Sequence, residues 1–216
     1  MAQLFRPQDN ARFRIGIVAA LAAVISTGGI LLAYSHSDQA WGVGKTASQP
    51  IPFRHDLHAG QLGVDCRYCH SSVERASTAG MPSVQTCMTC HSQVLQGASV
   101  LEPLRTSLAF DQPLVWNSVH RLPPYARFHH GIHIAKGVTC ETCHGKVETM
   151  QQTKKTQTLS MGWCLDCHRN PAPHLSLTEA AHAMGLTQAD PAKPVDPIKA
   201  HAAAIDRLTS CSTCHY

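Results

Sequence analysis

The pattern Cys-x-x-Cys-His occurs five times in this chain and accounts for all ten of its cysteines. In c-type haem attachment, the two thiols form thioethers to the haem vinyl groups, and the adjacent His binds the iron from one side. Five copies with no cysteine left over therefore predict five covalently bound haem c groups. The predicted haem-binding residues, with each His as a proximal iron ligand, are Cys66, Cys69 and His70; Cys87, Cys90 and His91; Cys140, Cys143 and His144; Cys164, Cys167 and His168; and Cys211, Cys214 and His215.

Zinc sites and disulfides are the two alternative uses of paired cysteines. Structural zinc usually takes two such pairs, or one pair with two spaced His, and five pairs do not divide into sites of that kind. Five isolated Cys-x-x-Cys disulfides would be redox-active rather than structural. Neither alternative explains the His that follows every pair, so haem is the favoured interpretation.

The composition agrees with an interior built around haem. Only 6% of the residues are aromatic, a low fraction for a core built from protein side chains alone. Between Cys66 and His215 there are about 30 residues per motif, too few for a separate globular pocket around each haem. The haems must therefore lie close together, and close haems favour electron transfer from one to the next.

The charge gives no support for a nucleic-acid partner. The formal net charge is +4, and haem propionates would offset it. The sequence has no basic run with interleaved aromatic residues, so we expect no nucleic acid to bind.

The amino-terminal segment predicts a single membrane span. Residues 15–34 contain no charged side chain and are long enough to cross a bilayer as a helix. Arg6, Arg12 and Arg14 precede the segment, and the next basic residue is Lys45, so the positive-inside rule places the N-terminus in the cytoplasm. A cleaved signal peptide is the alternative, although its apolar region is usually shorter.

An internal repeat organises the haem-binding part. Phe53 and Phe128 each begin the pattern Phe-x-His-x-x-His, which is followed by Gly-Val and then by a haem motif. A second haem motif follows each copy, which predicts a duplicated two-haem module with a fifth haem at the C-terminus. The predicted fold is mostly helical and irregular with little strand. We predict a cytoplasmic N-terminus (1–14), a transmembrane helix (15–34), a linker (35–50) and a periplasmic pentahaem cytochrome c domain (51–216) with modules at about 51–93 and 126–170 and the fifth motif at 211–215.

Irregular stretches separate the haem motifs. We expect a loop with short helical pieces from Val94 to Leu122, because Pro103 and Pro113 interrupt it. Thr178–Met184 and Ile198–Leu208 are candidate short helices.

The repeated His pairs are the best candidates for the distal side of the irons. Two His spaced three residues apart lie on one side of a helical turn and cannot both bind one iron. We expect the first His of each pair to reach the haem of the motif that follows, and the second to reach a neighbouring haem. The distal candidates are His55, His58, His130 and His133, with His120 as a fifth. Met150 and Met161 are alternatives, since a His/Met iron has a higher reduction potential than a bis-His iron.

Several of these segments together resemble one protein family. The N-terminal anchor, the Phe-x-His-x-x-His modules, Trp116–Pro123 (WNSVHRLP), Met161–Arg169 (MGWCLDCHR) and the terminal CSTCH resemble the pentahaem subunit of bacterial alternative complex III. The paired-His modules alone are also similar to the class III cytochromes c of the c3 and c7 type. The resemblance to alternative complex III covers nearly the whole chain and all five motifs.

The resemblance implies an electron-transfer subunit in the bacterial cytoplasmic (inner) membrane, with its haem domain on the periplasmic side. Such a subunit relays electrons from quinol oxidation to a periplasmic acceptor or an oxidase. The implied partners are an iron-sulfur subunit, polytopic membrane subunits, a monohaem cytochrome c and the lipid bilayer. We expect no bond-breaking catalytic residue in this chain.

Two other functions stay open at the level of sequence. A stand-alone, membrane-anchored multihaem quinol dehydrogenase also has one N-terminal helix, but it needs a haem close to the membrane surface. A multihaem enzyme that reduces a small substrate needs an iron with an open sixth position.

Overall fold

The computed structural model describes residues 6–175 and 205–215 of the chain. Within these ranges the chain is helical and irregular and forms no extended strand, which confirms the predicted fold class. Three isolated β-bridges join Thr46 to Lys154, Ala126 to His215 and Val138 to Leu175. The chain divides into two compact units, one ending at Val43 and the other beginning at Gly44.

The first unit is dominated by one long helix, α1, which spans Pro7–Ser35. The predicted span of residues 15–34 lies within it, and the helix starts earlier because the polar residues before Ile15 continue the same backbone conformation. At its start, the Asp9 carboxylate accepts a hydrogen bond from the Arg6 backbone N–H. At its end, the Ser35 hydroxyl donates to the Leu32 carbonyl. The helix segment Gln8–Ser35 contains a stretch long and apolar enough to cross a membrane, and the side chains of that stretch are exposed.

The second unit contains short helices separated by turns. A π-helical turn at Asp56–Gln61 comes first, and single turns of 3₁₀ helix lie at Ser99–Leu101, Val147–Thr149 and Ala172–His174. The α-helices of this unit within the described residues are α2 (Cys66–Cys69), α3 (Val84–His91), α4 (Glu102–Ala109), α5 (His130–Ala135), α6 (Cys140–His144), α7 (Met161–Arg169), α8 (Ile205–Leu208) and α9 (Cys211–Cys214).

A small apolar cluster lies beside the second haem motif. Ile51, Val84, Leu101 and Leu104 are buried together, and Leu104 is only 2% exposed. Cys87, Met88, Ala98, Leu114 and Trp116 pack against this cluster. The segment between the two modules therefore supplies protein core that supports α3, the helix carrying the second motif.

The irregular stretches behave as the sequence indicates where they are described. Residues 94–122 contain one turn of 3₁₀ helix and the eight-residue helix α4. Within the candidate helix Ile198–Leu208, the described part is helical as α8. The candidate helix Thr178–Met184 lies outside the described residues.

Candidate haem-binding site

Every haem motif lies on a short helix or at its end. The cysteines and the following His occupy positions i, i+3 and i+4, which share one face of a helical turn. The motif helices are α2, α3, α6, α7 and α9. A motif on a single helical turn presents two thiols and an imidazole to the same side, as thioether attachment beneath a haem ring requires.

Polar residues that precede the motifs start three of these helices. The Asp65 carboxylate accepts from the Arg67 backbone N–H at 2.8 Å, at the start of α2. The Ser83 hydroxyl accepts from the Thr86 N–H, and Ser160 begins α7 in the same way. N-terminal capping of this kind lets a single turn form even though an isolated turn is unstable in water.

Three of the predicted proximal imidazoles are oriented by backbone carbonyls. Nδ1 of His70 lies 2.7 Å from the Gly80 oxygen, and Nδ1 of His168 lies 2.9 Å from the Leu208 oxygen. Nδ1 of His91 lies 3.1 Å from the oxygen of Val94. A carbonyl only accepts, so each Nδ1 must carry the hydrogen. The lone pair of each ring is then on Nε2, the nitrogen available to an iron.

The two Phe-x-His-x-x-His modules have nearly identical ring geometry. Phe53 is edge-on to His55 at 4.8 Å between ring centres and stacks on His58 at 4.4 Å. In the second module, the corresponding distances from Phe128 are 4.8 Å and 4.5 Å. Each Phe therefore packs against both His of its module and fixes the angle between them.

Hydrogen bonds orient the paired imidazoles as well. Nδ1 of His58 faces the Arg54 carbonyl and Nδ1 of His133 faces the His129 carbonyl, both at 2.9 Å. In each module, the second His thus bonds within its own helical turn.

The first His of each module bonds instead to the other half of the domain. Nδ1 of His130 lies 2.7 Å from the Ser77 carbonyl, and Nδ1 of His55 lies 3.0 Å from the Thr153 hydroxyl. The backbone of Gly131 packs so closely on Glu74 that a Cβ atom there would lie 2.5 Å from the Glu74 carbonyl oxygen. Each module therefore orients one imidazole of the other module.

Three pairs of imidazoles have the separation of two ligands facing one another across a metal. A metal–imidazole bond of about 2 Å on each side puts the two ring centres about 6 Å apart. The observed distances are 6.2 Å for His58 and His91, 6.3 Å for His130 and His144, and 6.1 Å for His133 and His168. The first module's remaining pair, His55 and His70, is close enough for electrostatic interaction.

The other candidates occupy different surroundings. The His120 ring lies 4.4 Å from that of His144, too short for the two to face one another across an iron, and its Nε2 is buried without a hydrogen-bond partner. Met150 is buried, whereas Met161 is 65% exposed at the first residue of α7. The His215 ring lies 5.8 Å from the ring of Tyr125.

Contacts between motifs follow an order that differs from the order along the chain. Tyr68 in the first motif hydrogen-bonds to Thr89 in the second at 2.6 Å. The Cys66 thiol of the first motif interacts electrostatically with the Cys140 thiol of the third. Electrostatic interactions between thiols relate the remaining motifs. Cys143 of the third motif interacts with Cys167 of the fourth, and Cys164 of the fourth interacts with Cys214 of the fifth.

Comparison with known proteins identifies the family. Residues 51–102 match the profile described as cytochrome c7 and related cytochrome c, and residues 132–216 match the cytochrome c3 profile. The chain is also 31% identical over 160 residues to the multihaem cytochrome c subunit of menaquinone reductase from Nitratidesulfovibrio vulgaris. That alignment covers 62% of this chain and 74% of the relative. This chain belongs to the multihaem cytochromes c of the c3/c7 type.

The electrostatics of this cytochrome suit iron ligation. Burial, followed by three neighbouring imidazoles, lowers the pKa of His144 to about 4. Burial also lowers the pKa of His55, His120 and His133. These rings are therefore uncharged at neutral pH, which is the form that binds a metal.

The donor set of the cytochrome fits c-type haem. Free thiols lie one turn apart on each motif helix, imidazoles present Nε2, and the buried Nε2 of His120 has no protein partner. Covalently bound c-type haem supplies a one-electron iron couple, and the protein transfers electrons by means of it. The polypeptide supplies attachment, orientation and burial.

The groups that orient the imidazoles are the part of the site that sequence reasoning missed. Gly80, Leu208 and Ser77 act through backbone carbonyls, which any residue type can supply. Thr153 is separated from His55 by 98 positions and carries no motif. No signal in a single sequence marks such residues.

Proposed function

We propose that this cytochrome carries five haem c groups, one on each Cys-x-x-Cys-His motif. In this proposal the first His of each module binds the first iron of that module, opposite His70 or His144. The second His binds the second iron, opposite His91 or His168. The support is the separation of 6.1–6.3 Å in three of the four pairs, together with the hydrogen bonds that leave Nε2 free.

The fifth distal ligand is proposed to be His120. Its buried Nε2 lacks a partner, and its short distance to His144 makes it a ligand for a different iron from that of His144. Met150 and Met161 stay as alternatives, of which Met150 is the buried one.

We further propose that the chain is the electron-relay subunit of a membrane complex that oxidises quinol and reduces a periplasmic acceptor, as in alternative complex III. The observation that carries a quinone-linked membrane complex is the 31% identity to a subunit of a menaquinone reductase, in a chain that also has an apolar helix of membrane-spanning length. The proposed direction of electron flow follows the resemblance to alternative complex III. The proposed partners are an iron-sulfur subunit, polytopic membrane subunits and a monohaem cytochrome c.

Electron flow in the opposite direction is the second candidate, because the relative is named as a reductase of menaquinone. The two directions differ in the haem potentials. A quinol oxidase has haem potentials above that of its quinone, and a quinone reductase has at least its electron-accepting haems below it. A redox titration of the purified complex, followed in the haem absorption band, distinguishes them.

A native gel of membranes solubilised in mild detergent tests the complex. We expect haem stain in a band of several hundred kilodaltons that also contains iron-sulfur and polytopic membrane subunits. A haem band close to the size of this chain or a small oligomer of it, stable in gentle detergent, would instead support a stand-alone quinol dehydrogenase.

We propose that α1 anchors the chain in the bacterial cytoplasmic membrane, with the haem domain on the periplasmic side. Its apolar, exposed surface supports the anchoring, and the basic residues before it support the orientation. Alkaline extraction is expected to leave the protein in the membrane pellet. Protease added outside intact spheroplasts should remove the haem domain. Release into the alkaline supernatant, or protection of the haem domain until lysis, would contradict the proposal.

A further inference from the structure

One imidazole of the haem-binding domain is held differently from the others. Among the described residues, Nδ1 of seven predicted ligands forms a hydrogen bond, and six of these bonds go to backbone carbonyls. The seventh, from His55, goes to the side-chain hydroxyl of Thr153 at 3.0 Å. Thr153 is therefore the one Nδ1 partner in this set that a side-chain substitution can remove.

The backbone places Thr153 firmly. The next residue, Lys154, forms a β-bridge with Thr46, and the Lys155 N–H donates to the Lys45 carbonyl at 3.1 Å. On the other side, the Met150 carbonyl accepts from the N–H of Asp56, the residue after His55, at 3.0 Å. Both partners of the hydrogen bond are thus held by main-chain contacts that do not involve the hydroxyl.

The direction of the hydrogen bond follows from iron ligation. If Nε2 of His55 donates its lone pair to iron, Nδ1 must carry the hydrogen, and the Thr153 oxygen accepts it. A hydrogen bond at this position makes the imidazole a stronger electron donor, which favours the oxidised iron. Loss of the hydroxyl would therefore make the iron easier to reduce.

We propose that Thr153 is a positioning residue that holds His55 and sets its electron-donating strength toward the haem of the first motif. This inference rests on the proposed ligation by His55. In the second module, the equivalent imidazole of His130 bonds to the Ser77 carbonyl, so the duplicated sites differ at this point. The first and third haems then have different potentials even though both have two His ligands.

The test is a redox titration of the purified, full-length, haem-loaded protein carrying Thr153→Val, compared with Thr153→Ser. Valine keeps the branched shape of threonine and removes the hydroxyl, whereas serine keeps the hydroxyl. We expect one of the five one-electron components to move to higher potential in the valine variant. The ratio of reduced to oxidised haem at a fixed ambient potential should rise about threefold to tenfold, since the hydrogen bond is a single neutral one. A tenfold change in that ratio corresponds to about 59 mV.

The serine variant should titrate like the parent protein, and the valine variant should also change the electron paramagnetic resonance signal of one low-spin haem. Equal shifts in both variants, or no shift in the valine variant, would overturn the role of Thr153. A merely structural role would alter stability without moving one component selectively.

A third variant separates this inference from the ligand assignment on which it rests. His55→Ala is expected to convert to high-spin the same component that Thr153→Val shifts. If no haem becomes high-spin in His55→Ala, the ligation is wrong. If a haem does become high-spin while Thr153→Val leaves its potential unchanged, only the role of Thr153 is wrong.

Discussion

A His130→Ala variant is expected to keep every one of the five proposed haems attached while one of them changes from low-spin to high-spin. The thioethers depend on the cysteines, so attachment should survive. The imidazole that lies 6.3 Å from the ring of His144 would be gone, and water or an open position would take its place on the iron. Haem content per chain measures attachment. The high-spin absorption bands and electron paramagnetic resonance of the oxidised protein measure the change of spin state.

His129→Ala is the matched control for this variant. His129 is adjacent in sequence, and its Nδ1 accepts a hydrogen bond from the Ile132 N–H at the start of α5. Its Nε2 therefore carries the hydrogen, which is the wrong arrangement for an iron ligand. We expect His129→Ala to remain low-spin. An unchanged spin state in His130→Ala would contradict the assignment of His130.

A Leu104→Ala variant is expected to lower the free energy of unfolding of the haem domain by about 2–5 kcal/mol. Leu104 is 2% exposed and lies in the cluster with Ile51, Val84 and Leu101. Truncation removes apolar contacts and leaves a cavity beneath α3, the helix of the second motif. Denaturant unfolding followed in the haem absorption band measures the loss.

Leu108→Ala on the same helix controls for helix propensity. Leu108 is 40% exposed, so its truncation should cost far less than that of Leu104. Equal losses in the two variants would contradict a specific contribution of the buried Leu104 side chain, since alanine forms helix at least as well as leucine.

The sequence predicts the haem-binding residues of the site better than it predicts the residues that surround and orient them. The motifs are local patterns, so the residues on each haem-binding helix can be read directly from the chain. The repeat of Phe53 and Phe128 also predicts the distal His pairs, because duplicated sequences adopt the same local geometry. The apolar composition of residues 15–34 predicts the long helix in the same way, since no tertiary contact is needed to form it.

What the sequence could not predict depends on contacts between distant positions. The cluster of Ile51, Val84, Leu101 and Leu104 joins three segments whose apolar residues have no common period. The reciprocal bonds of His130 to Ser77 and of His55 to Thr153 arise only once the two modules pack together. Neither feature has a local signature.

The order in which the motifs neighbour one another also determines which motif could be lost without breaking the series of neighbouring haem sites. The first motif interacts with both the second and the third, so the interactions among the described motif residues run from second to first, third, fourth and fifth. The second motif stands at one end of this series, so its removal would leave the other four motifs as an unbroken series of neighbours. In a series that followed the order of the chain, the same removal would leave a gap after the first.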